Sequence, residues 1–224
     1  MEQESKQRLK VKVCGMRERQ NIADLIKLEP DYIGFIFYRP SGRYFGEPGE
    51  GDLEDIPSAV KKTGVFVNAE AEEVRSAVRL LKLGAVQLHG NESADLCKEL
   101  SATGLEVIKA FGIDETFRFD TLKAYEDAVD YFLFDTKTSK HGGSGKVFDW
   151  KLLERNDSTK GYFLSGGIGP EEAGMVKSLK DPRLYAVDLN SRFEAAPGLK
   201  DIHQLQLFIE QLKSTATAAE RKNI

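Results

Sequence analysis

The chain has 224 residues, 41% of them hydrophobic and 30% charged, which is the make-up of a globular protein with a sizeable core. Its formal net charge of -4 excludes a global basic field, so no nucleic acid or acidic membrane partner is expected and any anionic ligand must be held by local groups. No apolar run approaches the roughly 20 residues of a membrane span, and MEQESKQRL at the start lacks the basic and apolar segments of a secretory signal, so a cytoplasmic location is expected. Cys14 and Cys97 form no disulfide framework or paired-cysteine motif, and His89, His141 and His203 lack metal-ligand spacing, so no metal site is expected.

In chain order, the expected elements begin after a polar tail at 1–8. A first strand at 10–14 precedes a helical stripe of Ile22, Leu25 and Ile26, and a second strand at 32–37 precedes a short or irregular helix within 52–60. A third strand at 63–67 leads to the stripe Val74, Ala77, Val78 and Leu81, and a fourth at 85–88 leads to a weaker helix at 93–101. Strand 106–110 is followed by a helix within 115–126, and strand 131–135 by a long loop and a short helix at 150–155. Strand 161–164 precedes a helix at 170–179 that opens on Pro170, Glu171 and Glu172, a proline and two acids suited to a helix start. Strand 184–188 precedes the stripe Ile202, Leu205, Ile209 and Leu212, and the polar stretch 215–224 forms a second tail.

Strand and helix alternating eight times imply parallel strands with crossover helices, and eight units in this length fit a (β/α)8 barrel, one catalytic domain over 9–214, better than an open sheet. Barrel enzymes work at the C-terminal ends of their strands, and several runs end there in polar residues: Cys14, Gln87 with His89, Asp135, Ser165 and Asp188. Cys14 read alone fits a buried structural thiol at least as well as a catalyst, and the two lone acids also fit turn caps. Gly166 and Gly167 follow the seventh strand and Ser191-Arg192 the eighth, where barrels often bind phosphate through backbone amides; an ordinary turn is the alternative. The glycines within 136–149 suit a lid or a plain surface loop; HGGSGK at 141–146 fails the nucleotide-loop pattern, because Lys140 replaces the first glycine.

The ordered set KVCGMR, DYIGFIFYRPSGRYF, GVFVN, AVQLHGNE, VIKAF, FLFDTKTSKHGGSGKVFDW, FLSGGIGPE and AVDLNSRFEAAPGLKD, spanning roughly 10–212, resembles the phosphoribosylanthranilate isomerase family of tryptophan biosynthesis. The resemblance implies an Amadori rearrangement of N-(5-phosphoribosyl)anthranilate to 1-(2-carboxyphenylamino)-1-deoxyribulose 5-phosphate, without a metal or organic cofactor. By matching positions it makes Cys14 the general base, Asp135 the general acid, Arg43 the holder of the anthranilate carboxylate, and Gly166 and Gly167 part of the phosphate cradle.

Chemically, Asp135 must hold a proton to open the ribose ring, which a partly desolvated pocket favours, whereas Cys14 must act as a thiolate. Lys12, two residues earlier on the same side of the strand, is expected to pair with an inward acid or to support that thiolate. Gln87, His89 and Asp188 are expected to line the substrate pocket, with a purely structural place at the rim equally open for His89. The family commonly has serine-glycine where this chain has Ser191-Arg192; the arginine either binds phosphate directly or faces solvent. A sugar-phosphate epimerase would show a metal-compatible His and Asp set, the related histidine-pathway isomerase a pair of aspartates in place of Cys14, and a binding-only barrel no reason to keep both Cys14 and Asp135. The expected partner is a small phosphorylated substrate, and the protein is expected to be a monomer or homodimer.

Overall fold

The computed structural model describes residues 8–49, 51–137 and 148–214. The expected tail 215–224, residues 1–7 of the other tail, and residues 138–147 of the expected lid, His141 among them, lie outside the described residues. Eight strands are β1 (Lys10–Cys14), β2 (Tyr32–Ile36), β3 (Lys61–Phe66), β4 (Ala85–Leu88), β5 (Glu106–Ile113), β6 (Tyr131–Thr136), β7 (Tyr162–Leu164) and β8 (Leu184–Leu189). They close into a barrel in sequence order, every neighbouring pair parallel, with β8 returning to β1 in a register that sets Lys12 beside Asp188.

Among the described residues, five α-helices pack outside: α1 (Arg19–Ile26), α2 (Ala71–Leu81), α3 (Ala94–Ser101), α4 (Ala173–Ser178) and α5 (Ile202–Lys213). Alternation along each strand divides the core in two. Outward residues such as Val13, Ile33, Phe66, Val86 and Phe132 meet the apolar stripes of the helices, including Leu25, Val74, Leu81 and Leu205. Inward residues Tyr32, Ile108, Ala110, Leu133, Phe163 and Ala186 fill the barrel itself. The inward set turns polar toward the strand C-terminal ends, where Lys12, Gln87, Ser165 and Asp188 are all buried. Burying that many polar groups is costly unless each finds a partner.

Two expected helices differ from the structure. Residues 52–60 form turns, because Pro48, Gly49, Gly51 and Pro57 interrupt the backbone pattern while Leu53, Ile56 and Val60 still reach the core. In 115–126 only a 3-10 helix at Phe119–Tyr125 forms: the Asp114 carboxylate accepts the Thr116 N–H at 3.0 Å and Phe117 stacks edge-on against Phe119, so local side-chain bonds and packing favour a turn first. The segment after β7 starts as a 3-10 turn, Pro170–Glu172, before α4. A short antiparallel hairpin, β9 (Glu194–Ala196) and β10 (Leu199–Lys200), was not expected; it turns at Pro197-Gly198, with Gly198 at φ 83°.

Candidate active site

Cys14 ends β1, and the next residue, Gly15, turns the chain at φ 80°. The thiol is 3% exposed and lies across Gly34 of β2, its register partner; a Cβ at position 34 would stand 2.7 Å from Sγ. Glycine in β2 therefore makes the space in which the thiol sits. Burial pushes the Cys14 thiol above its ordinary range, although the Lys12 and Lys200 ammonium groups pull it down.

Lys12 is wholly buried, and its Nζ donates to Asp188 Oδ1 at 2.8 Å and to Gln87 Oε1 at 2.8 Å. Burial alone would discharge this lysine, but the Asp188 carboxylate and the Cys14 thiol outweigh it and hold the ammonium above the usual lysine range. Because Gln87 accepts from Lys12 through its oxygen, its amide nitrogen is left to donate to His89 Nδ1, 3.0 Å away. The His89 proton then resides on Nε2, which faces Asp135 Oδ2 at 3.7 Å, beyond ordinary hydrogen-bond length. A hydrogen-bonded chain, Asp188–Lys12–Gln87–His89, thus crosses the barrel mouth and ends 3.7 Å short of Asp135.

The His89 loop is braced from behind. Glu92 accepts the N–H groups of Asn68 at 2.8 Å and Gly90 at 2.9 Å, and pairs with the buried Lys109 at 3.2 Å. Lys109, on the outer side of β5, also donates to the carbonyls of Leu88 and Gly90, so the rim next to His89 is held by charge on both sides.

Asp135 lies near the end of β6, three strands from β1 around the closed barrel. Its Oδ1 accepts the Thr136 N–H at 2.7 Å, and 20% of the side chain remains exposed. Burial pushes its carboxyl up to about 6, with nearby Asp188 adding to the effect, against the lowering pull of the Thr136 N–H and Lys12. It can hold a proton at a pH where an ordinary aspartate has lost it.

The β7 loop abuts this acid. Gly166 and Gly167 have φ 85° and 74°, and a Cβ on Gly166 would run into Thr136 and stand 2.9 Å from Asp135 Oδ1, so glycine is required by both conformation and space. Ser191 opens the 3-10 turn after β8, and Arg192 lies across Gly169 with Nη2 3.3 Å from Glu171 Oε2. Arg43, on the loop after β2, is gripped by Glu194: Nε donates at 2.9 Å and Nη2 at 2.7 Å. Glu194 and its partner Lys200 belong to the unexpected hairpin; both stand in the motif stretch that follows β8, but nothing in their spacing signalled that a hairpin folds them toward β1 and β2. Among the described residues, no three His, Cys, Asp or Glu side chains group as a metal site.

A (β/α)8 barrel whose mouth sets a thiol and a protonatable carboxyl on separate strands, with lysine-supported polar groups between them, carries the groups that an enzyme of the proton-transferring class needs. Comparison with known proteins narrows that class. The family model described as N-(5'phosphoribosyl)anthranilate (PRA) isomerase matches residues 11–211. The N-(5'-phosphoribosyl)anthranilate isomerase of Parabacteroides distasonis is 45% identical over 213 residues, covering 94% of this chain and 96% of that one. The Thermotoga maritima enzyme is 38% identical over 208 residues, 92% of this chain and 98% of that one, and a crystal structure of it superposes with a TM-score of 0.80 at 36% identity, covering 92% and 98% of the two chains. A phosphoribosyl anthranilate isomerase crystallised with reduced 1-(o-carboxyphenylamino)-1-deoxyribulose 5-phosphate has a TM-score of 0.77 at 32% identity, with 92% and 98% coverage. The chain belongs to the N-(5'-phosphoribosyl)anthranilate isomerase family.

Proposed function

We propose that this chain rearranges N-(5'-phosphoribosyl)anthranilate to 1-(2-carboxyphenylamino)-1-deoxyribulose 5-phosphate in tryptophan biosynthesis, with Asp135 as acid and Cys14 as base. The observation that carries the assignment is the pairing, at one barrel mouth, of a carboxyl raised to about 6 with a buried thiol beside the Lys12 ammonium. Asp135 gives its proton to the ribose ring oxygen as the C1–O bond breaks and the anilino nitrogen lone pair forms an iminium ion. The iminium acidifies the C2 hydrogen, which the Cys14 thiolate removes; the resulting enolamine tautomerises to the ketone. Lys12 and the iminium charge both favour that thiolate. His89 is a poor candidate for the base, because its accepting nitrogen is already occupied by Gln87.

Arg43 takes the anthranilate carboxylate, and the Gly166-Gly167 loop with Ser191 takes the phosphate. Arg192 supplies a guanidinium beside that loop, while Gln87, His89 and Asp188 order the substrate between the reacting groups. A cytoplasmic location belongs to this reading, as suits a biosynthetic enzyme, and the free thiols Cys14 and Cys97 are compatible with a reducing compartment. A homodimer is an option alongside the monomer, since one relative from Thermotoga maritima is described as dimeric.

Loss of phosphoribosylanthranilate fluorescence provides the assay. Wild-type protein should turn over the substrate, and Cys14→Ala and Asp135→Asn should each lower kcat by about 10²–10⁴-fold with unchanged far-UV circular dichroism. Full activity in either variant would overturn the acid–base assignment.

A further inference from the structure

The proton-transfer roles leave one buried charged group without a task. Glu194 and Lys200 on the β9–β10 hairpin have side chains only 4% and 0% exposed, and their head groups meet at 2.6 Å. Glu194 also accepts from Arg43 Nε and Nη2 and from the Gly198 N–H at 3.1 Å. Lys200 Nζ is fixed further by Asn190 Oδ1 at 2.7 Å, while the Lys200 backbone exchanges two hydrogen bonds with the Asn21 side chain of α1, at 2.7 and 2.9 Å. The pair is therefore anchored to both the β8 loop and the first helix, and it cannot follow Arg43 if the arginine moves.

A guanidinium offers five N–H groups in a rigid plane. Glu194 uses the edge formed by Nε and Nη2, leaving the end-on edge formed by Nη1 and the second N–H of Nη2, whose parallel donors match another carboxylate. The Arg43 stem passes beside Gly15, 2.9 Å from where a Cβ there would stand, so this arginine lies against the residue that follows Cys14. Arg43, Lys200 and Glu194 together carry one net positive charge, and one incoming carboxylate completes the cluster.

We propose that Glu194, neutralised by Lys200, is a positioning residue for substrate specificity: it holds one edge of Arg43 so that the other edge receives the aromatic carboxylate. The inference rests on the reading of Arg43 as the carboxylate holder. Lys200 keeps Glu194 from cancelling the arginine's charge, so Arg43 stays both aimed and attractive to an anion.

Steady-state kinetics with N-(5'-phosphoribosyl)anthranilate on Arg43→Ala, Glu194→Gln and the double variant test the proposal. Arg43→Ala should raise KM by roughly 10-fold or more, Glu194→Gln should raise KM by roughly 10-fold with a much smaller change in kcat, and the double variant should be no worse in KM than Arg43→Ala alone. An unchanged KM in Arg43→Ala would remove the reading of Arg43 and the inference with it. A raised KM in Arg43→Ala beside an unchanged KM in Glu194→Gln, or fully multiplicative effects in the double variant, would overturn the inference alone. If Glu194→Gln fails to fold, Glu194→Gln combined with Lys200→Met removes one charge of each sign, and the same comparison in the Arg43→Ala background applies.

Discussion

Asp135→Asn should make the protein more stable at neutral pH while removing its activity. The Asp135 carboxyl is raised from 3.8 to about 6 by burial, so between these values the folded protein holds a proton that the unfolded chain has released. Protonated Asp135 is therefore accommodated without penalty below about pH 4, and stability is lost as pH rises toward and through 6. A rise of this size corresponds to about 3 kcal/mol, and partial exposure of the side chain reduces the expected effect to about 2 kcal/mol. Asparagine is neutral at every pH and still offers an oxygen to the Thr136 N–H, so it escapes the penalty without losing that bond. For a chain of this size about 2 kcal/mol corresponds to roughly 4–8 °C in Tm. Thermal melts of both proteins at pH 8 and pH 4.5 measure it: the Asn variant should melt higher at pH 8, and most of the gap should close at pH 4.5. A variant no more stable than wild type at pH 8, or a gap independent of pH, would refute the claim that burial of a charged carboxylate strains this site.

The pH profile of kcat/KM should rise with thiolate to a break near 6, the Asp135 value, and run level above it, because further gain of thiolate is offset by loss of protonated acid; a unit-slope rise continuing through pH 8 would contradict the pairing. Gly34→Ala would put a methyl 2.7 Å from Cys14 Sγ, displacing the thiol, so kcat should fall at least about 10-fold while urea denaturation shows a loss of only about 1–3 kcal/mol. Lys12→Met leaves the buried Asp188 without its cation, and urea denaturation should show a loss of about 3–5 kcal/mol. The same substitution should shift Cys14 alkylation to higher pH, and an unchanged alkylation profile would remove Lys12 from thiol activation.

Much of the barrel was legible because its signals are local. All eight strands were expected within a few residues, since each is a short apolar run bounded by polar or glycine-rich segments, and the stripes around Leu25, Val74 and Leu205 marked the helices that cover them. The start of β3 was missed because Lys61 and Lys62 are polar, yet tertiary pairing with Tyr32 and Ile33 draws them into the sheet. The helix expected in 115–126 shrank to a 3-10 turn, since periodicity cannot weigh the Asp114 bond and the Phe117–Phe119 packing against helix propensity.

By itself the sequence determined the (β/α)8 class, the strand ends at which polar side chains stand, and the family, all of which follow from alternation and motif order along the chain. Only the tertiary structure decided that Lys12 pairs with Asp188 and Gln87, that Gly34 of the neighbouring strand makes room for Cys14, and that Glu194 grips Arg43 across 151 residues of chain. The physical reason is barrel closure: parallel pairing of β8 with β1, together with the inward turn of the hairpin after β8, brings Asp188 and Glu194 onto Lys12 and Arg43, and no local pattern encodes a contact between segments so far apart in the chain.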